Sequence, residues 1–446
     1  MSKPFSFHIK NNLKLALPVA LGNMMHMITA LADTLMVSKV GVTELAAVGF
    51  VNAVFMLPFL IGTGVSAGIT AAVGKANGSG NTNKNKSLFF SGMWVCFLTS
   101  LILGALLILI NFFLDDMGQE QSVVDISYSY YWILIASLPF YMVFLGLKQF
   151  MEGLESTSPG MLILVVSNII NLILNYIFIF GKFGFEPMGL EGAGWATLIS
   201  RIILMLLAIY VISSFRKFKT YLDFSYSKVN WTEIKEIFGI GFPIGLQIAF
   251  EVGIFSVGTI FAGMIGKYEQ AAHKIALDLA AFTFMIASGF GSSSTISISN
   301  YFGKGNYIDM KKSAYAALVL TLIFMSFTCI LFLTLNEYFP LAFNDDKNVL
   351  QIASGLLIIA GFFQISDGLQ VTTLGILRGL HDVKIPTIVT LISYWMIGIP
   401  LAYYLSITLE IGPAGIWYGY LTGLSLVAIT MFIRFELISK KLLKIN

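Results

Sequence analysis

The sequence predicts an all-α integral membrane protein with twelve transmembrane helices in two pseudo-symmetric six-helix bundles. Three observations lead to that prediction. Of 446 residues, 57% are hydrophobic and only 11% charged, with a mean hydropathy of +0.83. Soluble chains carry about 25% charged residues, so this one could not clothe a water-facing surface. Twelve apolar runs are each about 20 residues or longer, enough to cross a ~30 Å hydrocarbon core. They do not alternate with period two, which excludes a transmembrane β-barrel. Finally, the two halves of the chain resemble each other.

The runs fall at 13–37, 45–72, 88–113, 126–150, 160–180, 190–213, 237–265, 271–299, 313–336, 350–377, 386–407 and 413–435. The first is too long for a signal-peptide core and lacks a small-residue cleavage site, so it stays as a spanning helix. Within it Pro18 has no backbone donor and marks a kink or hinge. The second and eighth runs hold GTGVSAGIT (from Gly62) and SGFGSSSTISIS (from Ser288), small residues that let helices approach closely. Between the sixth and seventh lies the longest polar interval, Arg216 to Glu236. It divides the chain into an N-terminal lobe (1–215), a linker (216–236) and a C-terminal lobe (237–446).

The repeat is visible in three pairs of segments. ALPVALGNMMHM (from Ala16) matches GFPIGLQIAFEV (from Gly241), VGKANG (from Val73) matches YFGKGN (from Tyr301), and MEGLESTSPG (from Met151) matches LRGLHDVKIP (from Leu377). Six helices per half give both copies the same orientation, a parallel repeat about the membrane normal, in which substrate and ion sites lie near the midplane. Lys and Arg gather at 3–14, 75–86, 216–235, 304–312, 378–384 and 434–444, against Lys39, Lys182, Lys267 and Lys347 in the alternate loops. By the positive-inside rule both termini and the 216–236 linker are expected in the cytoplasm.

Composition also excludes functions. A net charge of +3 does not suggest nucleic acid as a partner, and two cysteines inside apolar runs support neither a disulfide framework nor a thiolate metal site. The chain has no GxxxxGK[ST] loop and no HExxH pair, and its four histidines are scattered. No cofactor and no enzymatic activity are therefore expected, and energy for any transport comes from an ion gradient. An integral-membrane enzyme acting on lipids is the rival from another class; it needs a catalytic constellation that these residues do not supply.

An ionisable residue deep in a span is costly and marks function. Glu251 and Asp367 are the strongest such pair. At 1.5 Å per residue they lie roughly 21 Å and 17 Å from the cytoplasmic ends of runs seven and ten, so they can meet near the midplane. Two such carboxylates either share a proton or bind a cation between them. Asp33 in the first run, with Asn171 and Asn175 at i,i+4 on the fifth and Thr197 on the sixth, could form a second polar site in the first half. Asp278 is either a third acidic member of the second-half site or an interfacial residue. His26 occupies the repeat position of Glu251, and Arg201 requires a polar partner. Methionines and aromatics near these positions make adaptable walls for lipophilic cations.

Taken together, LPVALGNMMHMITALADTLMV, GITAAVGKANG, FPIGLQIAFEVGIFSVG, EQAAHKIAL and SDGLQVTTLGILRGLHDVKIPTI resemble the multidrug and toxic compound extrusion (MATE) family, its NorM-like branch in particular. The resemblance covers essentially the whole chain, and the RGLxDxKxP core is its most specific part. It implies a bacterial inner-membrane antiporter, monomeric and in contact with membrane lipid, that exports cationic or amphipathic drugs in exchange for sodium ions or protons. Glu251 and Asp367, with Asp278, then correspond to the C-lobe cation site, the first two as ligands if the ion is sodium. Asp33, Asn171, Asn175 and Thr197 correspond to the N-lobe polar site. Where sodium-coupled relatives place a tyrosine this chain has Phe363, and where relatives carry asparagine it has Asp278. The first change removes an oxygen ligand and the second adds one. A lipid-linked oligosaccharide flippase of the same superfamily is the nearest alternative.

Overall fold

A computed structural model describes residues 2–444. Among the described residues no strand occurs, and twelve helices are long and apolar enough to cross a membrane. They are α1 (Phe5–Ser38), α2 (Val42–Gly78), α3 (Thr82–Asn111), α4 (Gln121–Gly153), α5 (Ser158–Phe180), α6 (Gly189–Ser214), α7 (Trp231–Ile265), α8 (Lys267–Gly303), α9 (Tyr307–Thr334), α10 (Lys347–Gly379), α11 (Lys384–Thr408) and α12 (Pro413–Leu443). The protein is a multi-pass, all-helical membrane protein. Most helices extend past the apolar runs: α1 begins at Phe5 rather than 13, and α7 at Trp231 rather than 237. Hydropathy ends where charges begin, whereas the i→i−4 backbone ladder continues through polar turns that emerge into the interface.

Asparagine caps start α3 and α9 in the same way. Asn81 accepts from Lys84 N at 2.9 Å and Asn306 from Asp309 N at 3.1 Å, each satisfying a backbone donor that the helix leaves free. α11 is irregular, with π-helical turns at Ile392–Gly398 and Tyr404–Thr408; such turns rotate the side chains that follow and recur at functional sites.

Packing separates two compact units. The N-terminal unit is Leu21–Gly245, and the C-terminal unit takes the chain up to Ala20 together with everything from Leu246 onward. Both boundaries fall two residues after a helix-interior proline, Pro18 in α1 and Pro243 in α7. The 216–236 segment thus packs within the N-terminal unit, a grouping that boundaries drawn along a polar interval do not express. In that unit α2 packs on α3 and α4, α4 on α3 and α6, and α5 on α6; in the other, α8 packs on α9 and α10, α10 on α9 and α12, and α11 on α12. The repeat in sequence is therefore a repeat in packing.

Glycines set the closest crossings, at matched positions. A Cβ on Gly64 of α2 would lie 2.2 Å from Gly245 Cα on α7, and one on Gly289 of α8 would lie 2.8 Å from Ala16 O on α1. Side-chain bonds repeat as well: Thr70 Oγ1 donates to Gln149 O at 3.0 Å, and Thr295 Oγ1 to Gly375 O at 2.9 Å. Lipid tails are as apolar as leucine, so helices associate here through such close packing and interhelical bonds rather than through a hydrophobic drive.

The linker is docked by charge. Lys86 Nζ meets Asp223 Oδ2 at 3.0 Å, Lys84 Nζ meets Glu236 Oε2 at 3.0 Å, and the Ser87 and Ser91 hydroxyls donate to Glu233 Oε2 at 2.7 and 2.8 Å. Phe218, within the linker, is buried. The hydrogen bond from the Ser225 side chain, then that from Lys86, holds the Asp223 carboxyl well below its ordinary range, at about 2.

Gly375→Val should cost at least about 1–3 kcal/mol, because its Cβ would sit 2.1 Å from Gly291 O. Gly104→Ala, with open space at its Cβ, should be neutral or slightly stabilising; thermal unfolding in detergent reads both. Because the Asp223 pKa is depressed, its contribution to docking is complete above about pH 4 and fades as pH falls toward 2. Limited proteolysis at 220–230 should rise over that window, and Lys86→Ala should raise it at neutral pH.

Candidate functional site

The acidic site is built on α7, α10 and α11. Glu251 on α7 and Asp367 on α10 are both buried, at 7% and 3% exposure, and lie within electrostatic reach of each other. Tyr394, completely buried in the first π-helical stretch of α11, lies within reach of both carboxylates. α11 is fixed against α7 beside Glu251 by Trp395, whose Nε1 donates to Phe250 O at 3.3 Å. Glu251 Oε1, Asp367 Oδ1, the Tyr394 hydroxyl and both side-chain polar atoms of Gln364 have no hydrogen-bond partner in the protein, and the Gln370 amide lies within hydrogen-bonding reach of the Glu251 carboxylate. Unpaired polar atoms in so dry a place are costly. The unpaired oxygens on the two carboxylates suit a hard cation or a proton.

One turn from Glu251, Gln247 accepts from Arg378 Nε at 3.2 Å and Nη2 at 2.6 Å. Arg378 is the cation within electrostatic reach of Glu251. Next to the acids stands an aromatic layer: Phe363 meets Phe255 at 6.0 Å and Trp417 at 5.3 Å between ring centroids. Phe363 offers no oxygen, so any oxygen ligands beyond the carboxylates come from Gln364, Gln370 and Tyr394. Among the described residues no three His, Cys, Asp or Glu side chains converge.

The second site is on α1, α5 and α6. Asn175 Nδ2 donates to Asp33 Oδ1 at 2.6 Å and to Asn171 Oδ1 at 3.1 Å. Asn175 is fully buried, and its Oδ1 is unpaired. Thr197 spends its hydroxyl on its own helix, donating to Ala193 O at 2.9 Å. Asp278 forms an ion pair with Lys274 one turn away on α8, and no contact joins it to Glu251 or Asp367. Its side chain is 35% exposed and its partner's 62%, so the pair sits near the surface of the helix packing.

Sequence reading named the carboxylates but not their amide neighbours. Gln364, Asp367 and Gln370 recur every three residues inside an apolar span, a polar stripe on one helix face that could have been read. Tyr394 could not have been, because its direction depends on the π-helical turn.

Two repeats around buried charges define a membrane transporter rather than an enzyme. The chain belongs to the MatE family, whose model matches residues 18–177 and 243–404, one segment per repeat. It is 29% identical over 435 residues to the multidrug resistance protein MdtK of Yersinia enterocolitica, covering 96% of this chain and 95% of that one. Its fold is similar to that of a eukaryotic MATE transporter, with a TM-score of 0.87 and 21% identity over 99% of this chain and 98% of the other. It is also similar to an outward-facing multidrug resistance MATE family transporter, with a TM-score of 0.88 and 21% identity over 98% and 97%.

Asn175→Ala should remove the donor that holds Asp33 and destabilise the protein by about 1–3 kcal/mol. Thr197→Val should cost less than half as much, since its hydroxyl serves only its own helix. Paired thermal unfolding of the two variants measures the difference.

Proposed function

We propose that this protein is a cation-coupled multidrug efflux antiporter of the bacterial inner membrane, exporting cationic or amphipathic small molecules in exchange for sodium ions or protons by alternating access. The observation behind this reading is the buried pair Glu251 and Asp367, within electrostatic reach of each other, each keeping an unpaired carboxylate oxygen. Such a pair takes up a positive ion, and uptake drives a conformational change only if the ion favours one state over the other. The similarity to MdtK, named a multidrug resistance protein, supports drug cargo. The protein works as a monomer with both termini in the cytoplasm, needs no cofactor beyond the coupling ion, and places Asp33, Asn171 and Asn175 as the polar site of the N-terminal unit. Pro18 and Pro243 mark the hinges of α1 and α7.

In proteoliposomes, dye efflux should follow an imposed sodium or proton gradient, and comparing the two identifies the ion. Glu251→Gln and Asp367→Asn should each reduce gradient-driven efflux at least about 100-fold, the loss of an interaction worth ~3 kcal/mol, with unchanged amounts of protein in the membrane. Full efflux in Glu251→Gln overturns the proposal.

A further inference from the structure

The contacts that repeat between the units make residues of one correspond to residues of the other. Thr70 with Gln149 matches Thr295 with Gly375. Gly192 packed on Phe178 matches Gly415 packed on Ser406. By these correspondences His26 stands where the C-terminal unit has Glu251, Tyr141 where it has Asp367, and Arg201 where it has Leu424. The position that carries two carboxylates in one unit therefore carries basic and phenolic groups in the other. Leu424 is fully buried, so the fold itself does not call for a charge at this place.

Arg201 is under-partnered. Its Nη1 donates to Ser137 Oγ at 2.7 Å, and its guanidinium lies 5.0 Å from the centre of the Tyr141 ring. No other hydrogen bond from its five N–H groups and no ion pair to it occurs among the described residues. Asp33 is within its electrostatic reach, but the Asp33 Oδ1 is taken by Asn175 at 2.6 Å. His26 lies within reach of Arg201 and of Lys148, which is itself paired with Glu152 at 2.9 Å. Arg201 is half-buried, so the donors that make no hydrogen bond stay open to an incoming anion rather than sealed in the helix packing, and the guanidinium fork matches a carboxylate in geometry.

We propose that Arg201, held by Ser137 and facing the Tyr141 ring, is an anion-binding subsite that takes the carboxylate of amphiphilic zwitterionic cargo. The site deepens the proposed efflux function, on whose small-molecule cargo it rests, by supplying the side chain that meets an anionic end of that cargo. Tyr141 supplies a flat face against which the guanidinium and an aromatic cargo can stack.

The test uses rhodamine B, an amphiphilic dye with a free carboxylate, and its ethyl ester, which keeps the cation and lacks the anion. Binding to the purified full-length protein is read by fluorescence polarisation. The wild type should bind the acid more tightly than the ester. Arg201→Gln should lower that preference about tenfold or more, the loss of one charge-assisted pair, and Arg201→Lys should restore part of it. A preference unchanged in Arg201→Gln overturns the proposal, as do equal losses for both dyes or a wild type that does not favour the acid. If Arg201→Gln does not fold, Arg201→Lys and Ser137→Ala must each shift the ratio in the same direction, and an unshifted ratio in both is refutation. Glu251→Gln should abolish gradient-driven export while keeping the acid preference. Loss of export in the wild type with an intact Arg201-dependent preference would sink the efflux reading and leave the anion subsite standing.

Discussion

Everything in this structure depends on how closely two helices can approach when nothing but packing and hydrogen bonds holds them. In lipid the hydrophobic effect stops driving helix against helix. Each unit answers with backbone crossings at small residues, Gly64 on Gly245 in one and Gly289 on Ala16 and Ala20 in the other. Where Gly375 faces Gly291, backbones come near enough for the Thr295 hydroxyl to bond the Gly375 carbonyl at 2.9 Å. These crossings set the positions of α8 and α10, and with them the position of Asp367.

Close crossings also explain how polar residues are tolerated at depth. Asp367 and Glu251 are shielded by the aromatic layer of Phe255, Phe363, Trp417 and Tyr420, in which the Tyr420 hydroxyl donates to Phe255 O at 3.2 Å. On the other side, the Arg378 bonds to Gln247 tie α10 to α7. Between a tied end and an aromatic end, the carboxylates keep unpaired oxygens that an ordinary structural acid would have satisfied. The cost of leaving them so is the reason to read them as functional.

Duplication and divergence lie side by side in the two units. Asn81 and Asn306 cap corresponding helices, and Pro18 and Pro243 lie inside corresponding helices two residues before the boundaries between units. The side chains that carry charge do not follow the repeat: Glu251 answers to His26, Asp367 to Tyr141, and Leu424 to Arg201. The scaffold is shared because packing geometry tolerates little change. The charges are free to differ because each has its own setting: Asn175 donates to Asp33, whereas Arg201 makes one side-chain bond, to Ser137, and keeps its other donors open.

Hydropathy is a one-dimensional record of depth, and depth was legible throughout: the twelve spans, the polar interval at 216–236, and the burial of Glu251 and Asp367 could all be read from residue order. The repeat in residue order likewise announced a repeat in packing. Azimuth was not legible, because a helix of known depth can turn about its axis without changing its hydropathy. The Lys274 partner of Asp278 and the Ala193 acceptor of Thr197 stand at local i,i+4 spacing, whereas folding alone brought Tyr394 to the acid pair through a π-helical turn and Arg378 onto Gln247. Continuous helices also carried residues up to Ala20 into the C-terminal unit, and 216–245 into the other. Helix rotation and partner choice are fixed by contacts between segments hundreds of residues apart, and no local pattern records them.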